Sequence, residues 1–86
     1  MKRIIESDEA AGLESLLGEN VLLLCANYFY TGKLTGVNKD SVELTDPSIV
    51  YETGEWTGKS YKDAQRLHAK VWNVRIDAIE SFGAGK

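Results

Sequence analysis

The chain has 86 residues, of which 43% are hydrophobic, and a formal net charge of −3, enough for one domain with a small core and too little for two. Its longest unbroken apolar run, residues 21–26, has six residues, far short of the ~20 that a membrane-spanning helix needs. One cysteine excludes an internal disulfide, and the first five residues lack the apolar core of a signal peptide before Glu6 and Asp8, so an intracellular, cytoplasmic chain is expected.

In chain order, Ser7 is a good helix N-cap, with Asp8 and Glu9 in the first turn, where carboxylates complement the helix dipole. Ala10, Leu13 and Leu17 recur at helical spacing, Leu16 lies beside them, and Gly18 supplies a stop. The spacing predicts one amphipathic helix over about 8–17. Gly12 inside it costs up to ~1 kcal/mol against alanine, so the helix depends on packing, and its expected role is to cover one end of the domain.

Val21-Leu22-Leu23-Leu24-Cys25 is apolar throughout and of strand length, and Asn27 after it suits a tight turn. Residues 30–37 alternate small or apolar with polar side chains, the period of a strand with one buried face. Gly32 and Gly36 fall on the face of Leu34, and glycines inside a strand mark bends or close backbone approach. Asn38-Lys39-Asp40 is turn chemistry. A third strand runs from Val42 to Thr45, is interrupted by Asp46-Pro47 and is extended past a bulge by Ile49, Val50 and Tyr51. A long connection carries the chain to about residue 64, with Trp56 and Tyr61 either anchoring it or exposed. Residues 65–76 then read as one long strand, with Trp72, Val74 and Ile76 on one face and Leu67, Ala69 and Val71 on the other. A short strand over 78–82 and a tail follow. The whole reads as a single domain over 1–86, mainly β: a small, strongly bent, five-stranded antiparallel barrel of about 20–82 with an N-terminal α-helix. An OB-fold is the nearest rival.

The segment containing Gly32, Leu34 and Gly36, with the turn Asn38-Lys39-Asp40 after it, resembles the first signature of the Sm/LSm family. Val74-Arg75-Ile76-Asp77-Ala78-Ile79 near the other end is similar to its second. The resemblance implies an Sm-like, SH3-like barrel and a homo-oligomeric ring formed through the strands near 67–74 and 78–82. It also implies an inner rim that binds single-stranded RNA or DNA through the two signature turns. Carried over by position, the nucleic-acid-binding candidates are Asn38, Lys39, Asp40 and Arg75. Arg75 suits a base face or a phosphate, and Asn38 suits holding the turn. The chain departs from the pattern at Asp40, where the family places a stacking aromatic, at Ser41 and Val42, and at Ile76 after Arg75. Weak sequence preference is therefore expected.

Charge is segregated. Residues 56–75 carry Lys59, Lys62, Arg66, Lys70 and Arg75 against Asp63 alone, whereas 6–20 and 40–55 are acidic without a base. A basic segment in an acidic chain is a candidate patch or simply a solvated face. Nothing assembles into acid, base and nucleophile. His68 reads as a solvent-facing residue, Cys25 as a small core hydrophobe, and no ligand spacing for a metal or cofactor is visible. A non-enzymatic, ring-forming nucleic-acid-binding protein is expected, in RNA or DNA processing or chaperoning. The alternative is an adaptor module that keeps the ring without nucleic acid.

Overall fold

A computed structural model describes residues 12–86. Six strands form one antiparallel sheet: β1 (Asn20–Cys25), β2 (Phe29–Val37), β3 (Ser41–Glu52), β4 (Asp63–Arg66), β5 (Val71–Arg75) and β6 (Ile79–Ala84). The order is β4-β3-β2-β1-β6, and β5 pairs with the first half of β3. Alternate residues of β1, Val21, Leu23 and Cys25, meet Leu34 of β2, Val42 and Leu44 of β3 and Val74 of β5 in one buried cluster. β1 lies between β2 and β6, which is why its run is apolar on both faces: Leu22 is buried as well.

The curvature is written into β2 and β3. A register shift sets Asp46 and Pro47 opposite Gly32, and a second falls between Leu34 and Gly36. Such extra residues bend a strand and increase its twist. A Cβ on Gly32 would stand 3.1 Å from the Thr45 carbonyl oxygen and 3.2 Å from Pro47 Cα, so only glycine lets the bulge close against β2.

Three expectations are corrected. The single strand over 65–76 is two, so the sheet has six strands and not five. Pro47 has no N–H to give to a neighbouring strand, and Asp46 beside it is turned to φ 53°. The ladder is interrupted there and residues 67–70 loop out. They are tied back by Asp46 N–H to Lys70 O (2.9 Å) and Leu67 N–H to Pro47 O (2.8 Å). Nor does the sheet close into a barrel: among the described residues β5 pairs only with β3 and β6 only with β1.

The expected helix is the third correction. Its first residues, including Ser7 and the span 8–11, lie outside the described residues. Over the described part of that span, residues 12–17, there is no α-helix but a 3-10 turn, Leu13–Leu16. Gly12 at φ 78° and Gly18 at φ 87° bracket it, and a left-handed residue at each end leaves room for a single turn. Leu13 and Leu16 pack on the core, while Leu17 is exposed. The covering role falls to a short turn.

Candidate nucleic-acid interface

Two turns meet at one end of the sheet. The β2–β3 turn closes with Asn38 N–H donating to Ser41 O at 2.8 Å. Ser41 stands opposite Arg75 in the β3–β5 ladder, and past the end of β5 the Ile76 N–H donates to Asp40 O at 2.9 Å. The chain then makes a 3-10 turn, Ile76–Ala78, into β6. Residues 36 positions apart in sequence are thus clipped together by backbone, and between them lies an open hollow of about 420 Å³. Lys39, Asp40, Ser41, Arg75, Ile76 and Asp77 line it.

Of the four residues singled out from the sequence, Lys39, Asp40 and Arg75 share this hollow, and Asn38 holds the turn through its backbone and does not line it. Asp77 was missed. Its carboxylate takes a forked pair of hydrogen bonds from the Arg75 guanidinium, Nε to Oδ1 at 3.2 Å and Nη2 to Oδ2 at 2.9 Å. The Asp77 hydrogen bond, and then its charge, push the Arg75 pKa further above its ordinary value. The Arg-x-Asp spacing was the available signal: Arg75 caps the turn and Asp77 lies inside it, two residues on. The hollow therefore carries Lys39 and Arg75 against Asp40 and Asp77, cations and carboxylates in balance.

The basic stretch over 56–75 is similarly diluted. Lys62 lies 3.9 Å from Glu52 and Arg66 3.1 Å from Asp46. Both pairs are solvent-exposed and add little to stability, yet each lowers the local positive potential. Trp56 projects into solvent, whereas Tyr61 anchors the β3–β4 loop: its hydroxyl accepts from Lys86 N–H at 3.0 Å. His68 is exposed and Cys25 buried. Among the described residues no cluster of three or more His, Cys, Asp or Glu could hold a metal ion, and no helix is long and apolar enough to cross a membrane. No family model, curated protein or solved structure matches the chain.

Proposed function

We propose that this chain is a non-enzymatic, Sm-like protein that assembles into a homo-oligomeric ring and binds single-stranded RNA or DNA with little sequence preference. Processing or chaperoning of nucleic acid in the cytoplasm is the corresponding role. The observation that carries the reading is the open sheet. Among the described residues β5 and β6 each have one unpaired edge, and these strands expose Val71 (44%) and Phe82 (42%). An unpaired, apolar edge is a template for another strand. A second copy that sets its β6 against this β5 leaves its own β5 free for a third, a heterologous contact that ends only when a ring closes.

Closure would repeat the hollow of Lys39 and Arg75 once per subunit. One or two cations per chain then become a band, and affinity for a polyanion follows that local potential rather than the net charge. Asp40 and Asp77 weaken the band, which favours the second reading, a ring that serves as an adaptor without nucleic acid.

Fluorescence anisotropy with labelled oligo-U, oligo-A and single-stranded DNA at ~50 mM salt separates the two, because the electrostatic contribution is largest at low salt. Binding to all three, with a log–log salt slope of about −0.7 per phosphate neutralised, is the expected outcome. No binding to any of them leaves the adaptor.

A further inference from the structure

A second cleft, of about 330 Å³, opens beside the β1–β2 turn, facing β5. Cys25, Tyr28, Tyr30, Trp72, Asn73 and Arg75 line it. Its volume is at the lower end of the ~300–1,000 Å³ typical of small-ligand sites. Three aromatic rings contribute to its lining. Tyr30 is half-buried among core residues, whereas Tyr28 is 48% exposed. Tyr28 is held in place edge-on to Tyr30, with ring centroids 6.5 Å apart, and edge-on to Tyr51 at 6.3 Å. Such pairs fix an otherwise free surface ring.

The floor is neutral. Burial first, and then the Glu80 charge, push the Cys25 thiol up. Burial also raises the Tyr30 hydroxyl, followed by Cys25, Tyr28 and Tyr51. The aromatic part of such a cleft favours a flat, uncharged ring. Asn73 and Arg75 at its margin offer hydrogen-bonding groups to the edge of such a ring. Arg75 also lines the hollow with Lys39 and Asp40, so one arginine borders both an aromatic cleft and a polar one.

We infer that the cleft between Tyr28, Tyr30 and Trp72 takes one nucleobase of a single strand, stacked on the aromatic side chains, with the adjoining phosphate at Arg75. The inference rests on the nucleic-acid reading above and adds to it a base subsite outside the two signature turns. Stacking on an aromatic ring tolerates every base, because each has a π-face. It supplies affinity without the counterion release that makes phosphate contacts sensitive to salt.

The experiment uses fluorescein-labelled 12-nucleotide oligo-A and oligo-U RNA with Tyr28→Leu, which keeps apolar bulk and removes the ring, and with Tyr28→Phe, which restores it. Tyr28→Leu is expected to weaken both RNAs about tenfold while leaving the salt slope and the oligomeric mass unchanged, and Tyr28→Phe to bind as the native chain does. In a Trp56→Phe background, RNA should quench the fluorescence of Trp72, then the sole tryptophan. Unchanged affinity for Tyr28→Leu overturns the base subsite and leaves the nucleic-acid reading standing. A change in oligomeric mass with Tyr28→Leu also overturns it, because the cleft is then filled by a neighbouring subunit. If the native chain binds neither RNA, the nucleic-acid reading fails and the subsite fails with it.

Discussion

Arg75 and Asp77 show how one side chain resets what its neighbour can do. An arginine ending a strand beside a turn is a suitable phosphate contact, but here its fork is occupied by the Asp77 carboxylate. A polyanion must either displace Asp77 or bind on the remaining donors. Asp77→Asn should therefore strengthen single-stranded oligonucleotide binding several-fold at ~50 mM salt and steepen the salt slope, with no shift in the thermal midpoint because the pair is solvent-exposed. Arg75→Ala should weaken oligo-U, oligo-A and single-stranded DNA about equally. Equal affinity of Asp77→Asn and the native chain would mean that Arg75 does not touch the strand. At Cys25 the physics is burial. The folded state disfavours the thiolate, so the stability tied to this thiol is present in full below the ordinary thiol range, about pH 8.5. It is lost as pH rises through the raised folded value. Denaturation midpoints between pH 7 and 10 should fall with pH in the native chain and fall less steeply in Cys25→Ala, although the alanine variant starts lower. Parallel curves would exclude the thiol as the source.

Among the elements, the residues most exposed to test are those at the joints. Gly12 has φ 78° and ψ −166°, with no atom of the described residues within 4 Å of a Cβ built on it. That backbone region is essentially reserved for glycine, so Gly12→Ala should cost roughly 1–3 kcal/mol. A helix through Gly12 predicts the opposite sign, neutral or stabilising, and urea denaturation decides between them. The β3–β4 loop has a different anchor. The Lys86 ammonium donates to the carbonyls of Thr53 (2.9 Å), Glu55 (2.7 Å) and Ser60 (3.2 Å) and lies 5.0 Å from the centre of the Tyr61 ring. Three donors meet three acceptors, which leaves the ammonium fully satisfied. Lys86→Met keeps the length of the stem and removes every one of these bonds. Trypsin should then cut after Lys59 and Lys62 several times faster than in the native chain, read by mass spectrometry of early digests. An unchanged rate would show that the loop holds its shape by itself.

For the whole molecule, the open sheet sets the expectation. The cluster of fully packed apolar side chains is small, and domains of this size have little stability to spare. Covering Val71 and Phe82 in an assembly removes apolar surface from water at ~25 cal/mol per Å². Light scattering at micromolar concentration should report a single species of at least four subunits. Phe82→Glu places a charge on the β6 face that an assembled neighbour would cover, and should shift the mass towards monomer. A native chain that is already monomeric would sink the ring and leave the two free edges as ordinary sheet margins.

Much of the strand layout was legible in the residues themselves. The apolar run of β1, the alternation of β2 and the turn at Asn38 are set by neighbours within a few positions, where period and turn chemistry act directly. Gly32 likewise announced a close approach, and the bulge of Asp46 and Pro47 is what approaches it. Features that depend on distant partners were not legible. The strand over 65–76 divides because Pro47, some twenty positions earlier, offers no donor to it. The 3-10 turn replaces a helix because Gly12 and Gly18 both adopt φ values that spacing alone does not reveal. The site divides the same way: the sequence by itself marked Lys39, Asp40 and Arg75 as candidates, but only the tertiary structure placed them around one hollow and set Asp77 against Arg75. The aromatic cleft brings Tyr28 of the β1–β2 turn together with Trp72 of β5, a strand that is hydrogen-bonded to β3. Periodicity describes which way a side chain faces along its own strand, whereas a site depends on which strands the curvature of the sheet brings face to face.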